Sequence, residues 1–301
     1  MDEGAWNDGD WDLLVERISR GDCTPFLGAG ACLPTLPTGD ELARLWAGRY
    51  DYPFAGDPHL PEVMQYASIE TGDPTVVKQR LIEGFDDCGE PDYSNKVEPH
   101  SLLAGLPVNV YLTTNYVDYL TRALELANRR PVTGICPWYR GAEHDPETRL
   151  PDGYQPRIEE PLVYHLHGNR REPRSLVLTE TDYVEFLVTL GHDFGGDERR
   201  VVPIQIFQAL TRHPLLLIGY SLRDWSFRML FHGVVAAVAD VMRRRHVSVQ
   251  LAPHPDTDDE DARRRTMSYL ARHYGELNIR VFWGSAEAFC TELARRLDVG
   301  T

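Results

Sequence analysis

The chain has 301 residues, a hydrophobic content of 42% and a formal net charge of −15. That is enough apolar material to bury the core of one large α/β domain with an insertion, or of two modest domains. The excess of negative charge argues against a surface that itself grips a nucleic-acid backbone.

The first residues, M-D-E-G-A-W-N-D-G-D-W, are acidic and lack the apolar core of a signal peptide. Residues 11–20 then have helical spacing (Trp11, Leu14, Val15, Ile18), with Gly21 as a stop. A first strand is expected at 24–27, followed by a glycine- and proline-rich loop over 28–37. Thr38-x-x-Glu41 is a capping box for a helix over 41–48. Two more helices, 60–71 and 74–84, follow with no strand between them, so residues 50–99 read as an inserted helical lobe. The apolar run 106–112 reads as a buried strand and leads through L-T-T-N-Y-V-D-Y-L into an amphipathic helix over 119–127. Residues 134–160, dense in Pro, Gly and charge, read as a long irregular excursion, either functional or mobile. After it the pattern predicts strands at 162–167 and 176–178, then a helix capped near Thr179 or Thr181. A helix over 200–212, a strand over 214–218 and a helix over 224–241 come next. A strand over 247–251, an acidic turn over 255–261, a helix over 261–274, a strand over 279–282 and a helix over 286–297 finish the chain. This alternation implies a Rossmann-like parallel sheet with helices on both faces. No stretch approaches the roughly 18 apolar residues of a membrane span, so a cytoplasmic location is expected. The arginine runs at 243–245 and 263–265 read as solvated helix faces.

Four of the strands end in unusual residues. The first closes with Gly28-Ala29-Gly30, where small residues let a backbone approach a pyrophosphate and turn amides can point at it, although such a turn is often only tight. A hydride-transferring dinucleotide enzyme would want Gly or Ala where Leu33 stands, and an acid after a second strand where the chain enters helices instead. The second ends in Thr113-Thr114-Asn115. The Asn115 amide offers donor and acceptor, so it can hold a hydroxyl and an attacking water together; the bland alternative is a turn asparagine. The third ends in His165-Leu166-His167-Gly168-Asn169. Two histidines spaced two apart on a strand share a face and could ligate zinc, but no third and fourth ligand stand at suitable spacing. The five cysteines, Cys23, Cys32, Cys88, Cys136 and Cys290, form no C-x-x-C pair. No metal is therefore expected, and the scattered thiols suit a reducing compartment. The fourth strand ends in Gly219-Tyr220-Ser221-Leu222. A nucleophile elbow would need Gly where Arg223 stands, so Ser221 reads as a phosphate or ribose ligand. Asp224 reads as the N-cap of the next helix, and Trp225 and Phe227 as core.

In this order, G-A-G, T-T-N-Y, L-H-G and G-Y-S-L-x-D over residues 24–224 resemble the sirtuin (silent-information-regulator-like) domain. The similarity is to its zinc-free branch, found as NAD-consuming effectors in bacterial antiviral defence. The resemblance implies a single NAD-binding domain with insertions at about 50–99 and 134–160. It implies NAD+ as substrate and cleavage of the nicotinamide–ribose bond, with Asn115 as the essential asparagine and His167 as general base. Gly28, Ala29, Gly30, Ala31, Cys32, Thr114, Asp118, Gly219, Tyr220, Ser221 and Leu222 would then hold the dinucleotide, and His165 would pack inside with a hydrogen-bond partner. Two departures stand out. Cys32 occupies the place of the family's serine, and Val117 the place of the acid after T-T-N-Y, with Asp118 following. The resemblance further implies a conditional effector, acting as a homo-oligomer or with a separate sensor such as a ring-forming ATPase or a nucleic-acid-guided protein. An NAD-dependent protein deacylase and a non-catalytic nucleotide-binding module are the alternatives; the first usually carries a zinc-bearing lobe.

Overall fold

The structure is a computed structural model and describes residues 6–142, 145–194, 202–220, 245–251 and 260–298. Its centre is a seven-stranded sheet: β1 (Thr24–Leu27), β2 (Val110–Thr113), β3 (Val132–Ile135), β4 (Leu162–His165), β5 (Leu215–Ile218), β6 (His246–Gln250) and β7 (Ile279–Trp283). The order is β3-β4-β2-β1-β5-β6-β7, and every neighbouring pair is parallel. β1, β2, β4 and β5 are buried along their whole length, as strands covered on both faces must be.

The two-residue period of the strands sorts their side chains into two cores. Phe26, Leu112, Tyr164 and Leu217 face one way, where they meet Phe186 and Leu190 of α7 (Glu180–Phe194) and Ile206 and Leu210 of α8 (Ile204–Arg212). Leu27, Tyr111, Val163, Leu216 and Ile218 face the other way. There they meet α1 (Asp8–Ser19), α5 (Pro99–Ala104), α6 (Tyr119–Leu126) and the helix Ala286–Arg296, which adds Phe289 and Leu293. The helix Glu260–Glu276 joins the first core through Tyr274.

The helices α2 (Gly39–Arg49), α3 (Leu60–Thr71) and α4 (Pro74–Asp86) build a third apolar cluster around Trp46, Met64, Ala67, Val77, Leu81 and Phe85. This cluster also contains Cys32, Val117, Tyr119 and Leu178, all from segments that follow the carboxyl ends of strands. The helical segment therefore packs beside the edge of the sheet where α/β proteins bind ligands. Its first helix starts at the Thr38–Glu41 capping box that the sequence predicts.

Several sequence expectations need correction. Residues 176–178 form no strand, while Val132–Ile135, at the start of the segment read as irregular, is the edge strand β3. A glycine inside a strand hides it from propensity, and Gly134 is needed there because a Cβ would lie 2.8 Å from the Tyr164 ring. The short helix α5 was not expected, and the strand after it is four residues long, not seven. The helix expected from residue 200 starts at Ile204, after Pro203. The strand expected over 162–167 ends at His165, so the two histidines do not share a strand face. The helix over 224–241, most of the acidic turn, and Ser221, Leu222, Arg223, Asp224, Trp225 and Phe227 lie outside the described residues.

Candidate active site

The strand register brings the sequence motifs to one edge. Leu27 of β1 pairs with Thr113 of β2, Thr113 pairs with His165 of β4, and Leu27 also pairs with Ile218 of β5. The residues after these positions, Gly28, Thr114–Asn115, Leu166–His167 and Gly219–Tyr220, thus emerge side by side from the carboxyl ends of four adjacent strands. The chain runs from β1 to β2 in one direction and later crosses to β5 in the other, which makes the β1–β5 gap a topological switch point.

At that gap the two glycine loops touch. Gly219 has φ +71°, and a Cβ on it would lie 2.0 Å from the Ala31 nitrogen. A Cβ on Gly28 would lie 2.6 Å from the Gly219 oxygen. The glycines are thus required by each other's backbone. The N–H groups of Gly28, Gly30 and Ala31 donate to Ile218 O, Gly219 O and Gly28 O at 2.9, 2.9 and 3.0 Å. Those three amides do not form the open anion cradle that the sequence suggests. Ala29 is exposed and Gly30 half-buried at the loop's tip, whereas Ala31 and Cys32 are buried. The Cys32 thiol lies 3.9 Å from Nε2 of His100, whose Nδ1 is 2.6 Å from Glu98 Oε1. Burial raises the thiol far above its ordinary range, so it stays protonated. Tyr220 is buried with its ring 5.0 Å from that of Phe26.

Asn115 is buried and held on three sides. Its N–H donates to Thr113 Oγ1 at 2.9 Å, its Nδ2 donates to Gly28 O at 3.1 Å, and its carbonyl oxygen lies 2.9 Å from Nδ1 of His165. The side-chain donor is therefore partly engaged by the protein. Thr114 is half-buried, its N–H bonded to Leu27 O at 3.0 Å.

His167 has a different environment. It is 4% exposed, and its ring meets Tyr183 and Phe186 of α7 edge-on at 5.6 and 5.0 Å. Its Nε2 is buried without a hydrogen-bond partner. Burial in apolar surroundings pushes its pKa down to about 3, so the ring is neutral at any physiological pH. A buried ring nitrogen without a partner is uncommon in folded proteins. Gly168 follows with φ +88°, where a Cβ would lie 2.1 Å from Ser175 O, so glycine is obligatory after this histidine.

The departure at Val117 is explained by packing. Val117, where the acid was expected, is buried in the apolar cluster of the helical segment. Asp118 instead accepts from Asn169 Nδ2 at 2.9 Å and pairs with Arg171 Nε at 3.4 Å. Asn169 carries no role in the sequence reading, although it directly follows His167-Gly168. It is fully buried, and its Nδ2 also lies 3.2 Å from His165 Nε2 and 3.4 Å from Nδ1.

Comparison with known proteins agrees with this architecture. The SIR2-like domain family matches residues 109–275, more than half of the chain. The chain belongs to the SIR2-like family. It is similar to the NAD(+) hydrolase ThsA of Acinetobacter baumannii, 24% identical over 176 residues, which cover 58% of this chain and 33% of that one. It is also similar to ThsA of Enterococcus faecium, 24% over 211 residues (69% and 39% covered). A third relative, ThsA of Bacillus cereus, is 23% identical over 216 residues (69% and 40% covered). The chain thus spans about a third to two fifths of the length of these curated relatives. Among the described residues, no helix of this SIR2-like chain is long and apolar enough to cross a membrane.

Proposed function

We propose that this SIR2-like chain is an NAD+ hydrolase that cleaves the nicotinamide–ribose bond. The observation that carries the reading is the orphaned Nε2 of neutral, buried His167 on the same sheet edge as Asn115 and the paired glycine loops. A neutral imidazole is the form that accepts a proton from a ribose hydroxyl or a water, and the anionic phosphates of a bound dinucleotide would raise its basicity from the low value that burial imposes. The pyridinium leaves as neutral nicotinamide while positive charge grows on the ribose. A site for this reaction must hold the nucleotide rigidly, admit one water and exclude others. Asn115 would present its amide to ribose and water, and its bonds to Gly28 and Thr113 limit its freedom to turn away. Ala29, Gly30, Thr114 and Gly219 are the partly open positions around the edge and would line the dinucleotide. The names of the similar proteins, and a sequence without the paired cysteines of a zinc-bearing lobe, favour hydrolysis over deacylation.

The proposal extends to a conditional role in antiviral defence, with a separate sensor or self-assembly switching the enzyme on. The supporting argument is chemical: unrestrained NAD cleavage would drain the cell that makes the enzyme. Release of nicotinamide from NAD+, followed by chromatography in wild type, Asn115→Ala and His167→Ala, tests the reaction. Loss in both folded variants is expected. Full turnover in either one sinks the assignment of that residue, and acetyl-peptide-dependent release would favour a deacylase.

A further inference from the structure

The backbone N–H, the side-chain Nδ2 and the peptide carbonyl of Asn115 all have partners. A carbonyl oxygen only accepts, so the 2.9 Å contact to His165 Nδ1 requires the proton on that nitrogen. Nε2 is then the unprotonated nitrogen, and Asn169 Nδ2 lies beside the ring, 3.2 Å from Nε2 and 3.4 Å from Nδ1. The same amide donates to Asp118 Oδ1 at 2.9 Å, which fixes the amide's orientation: nitrogen toward Asp118 and His165. Asn169 Oδ1 in turn accepts from Arg171 N at 2.9 Å, and Arg171 Nε pairs with Asp118 Oδ2 at 3.4 Å. The chain of contacts is closed, and His165 and Asn169 at its centre are buried to within 1% of full coverage. Burial keeps His165 neutral, against the pull of Asp118.

We propose that His165, set in its Nδ1–H tautomer by the Asn115 carbonyl and braced by Asn169, is a positioning residue that holds the Asn115 peptide where the reaction needs it. This rests on the hydrolase reading above. His165 touches no reacting atom: it acts through the Asn115 carbonyl, as Thr113 acts through the Asn115 amide. Asp118 then belongs to the support beneath the site and not to the set of groups on the dinucleotide. The arrangement also explains why an acid at position 118 serves this chain. Val117 is turned into the apolar cluster, and position 118 is the one that reaches Asn169.

The test compares three replacements of His165. The amide of asparagine can place an N–H near the position of Nδ1, glutamine places it near Nε2, and leucine keeps bulk without a donor. With NAD+ as substrate, His165→Leu and His165→Gln are expected to lower kcat about 30-fold or more while KM stays within about 3-fold, since a misplaced group costs rate before it costs binding. His165→Asn should recover most of kcat, and Asn169→Leu should resemble His165→Leu. Wild-type kcat in a folded His165→Leu variant, or equal losses in the Asn and Leu variants, would overturn the proposal. So would kcat and KM worsening together in step with the fall in Tm. Nitrogen-15 spectra of the histidine rings in the unmodified protein read the tautomer directly, with the His165 signals identified by their loss in His165→Asn. A proton on Nε2 refutes the clamp. A wild-type protein that binds but never cleaves NAD+ refutes the hydrolase reading and the rate assignment with it, leaving the clamp to stand or fall by that tautomer.

Discussion

At the scale of single residues, the buried polar side chains of the site differ in whether a hydrogen-bond partner satisfies them. His165 and Asn169 have their partners, whereas His167 Nε2 has none. Its neutrality has a thermodynamic consequence. The native ring stays unprotonated down to about 3, while the unfolded chain takes up a proton near the ordinary value of 6.5. Below that value the unfolded state binds more protons, so stability is complete above about 6.5 and declines as pH falls toward 3. The slope is at most about 1.4 kcal/mol per pH unit for each such ring, and His165, also held neutral by burial, adds to it. Urea unfolding at several pH values between neutral and 4.5 should show this decline, and His167→Phe, whose ring suits Phe186 and Tyr183, should flatten it. An unchanged slope would mean that His167 is accessible to protons in the native state. The glycines give a second residue-scale prediction. Gly219→Ala places a Cβ against the Ala31 backbone in a left-handed conformation, and the cost should exceed about 2 kcal/mol. Gly48→Ala, exposed in α2 with nothing within 4 Å of the added atom, should instead stabilise by about 0.5–1 kcal/mol. Thermal melts of the two variants, run side by side, check both signs.

At the scale of elements, the helical segment is tied to the site by one nearly buried ion pair. Lys78 of α4 lies 2.9 Å from Asp182 of α7, with side-chain exposures of 6% and 13%. The Lys78 ammonium also sits 5.5 Å from the centre of the Trp138 ring. Trp138 donates from Nε1 to Ser175 O at 2.7 Å and meets Phe186 edge-on at 6.3 Å. Phe186 is the ring against His167, so α4, α7 and the segment after β3 all converge on that histidine. Asp182 keeps two backbone donors, Leu178 N and Thr179 N, when Lys78 is removed. Lys78→Met should therefore cost about 3 kcal/mol, the lower end for breaking a buried pair. It should also alter turnover through α7. A loss below about 1 kcal/mol in urea unfolding would show that the pair behaves as an exposed one.

At the scale of the whole molecule, two segments read from the sequence as insertions border the proposed site. The helices between residues 50 and 99 share an apolar cluster with Cys32 and Val117, which lie just beyond the strand ends. The segment after β3 carries Trp138 to the neighbourhood of His167. Ordering or shifting either one changes the walls of the site, and an oligomer or sensor protein could act through them. Turnover per chain should therefore rise with protein concentration, or on addition of the product of a neighbouring gene. A monomer with full, concentration-independent turnover would sink this idea.

Sequence alone determined the strand–helix alternation, the two-faced burial of the central strands and the four motifs that sit at their ends. These depend on local chemistry: apolar runs, caps such as Thr38–Glu41, and polar residues such as Asn115 and His167 placed just after an apolar run. The tertiary structure alone decided which strands are neighbours, and thereby that Gly28, Asn115 and His167 emerge side by side. It also revealed β3, whose Gly134 is demanded by the Tyr164 ring of another strand and is invisible to a period-two pattern. Asn169 and Asp118 acquired their roles in the same way, because a hydrogen-bond network joins residues that are 51 positions apart. Periodicity reports what a residue's own element requires, whereas the partner that satisfies or orphans a buried polar atom comes from another element and is fixed only when the sheet is assembled.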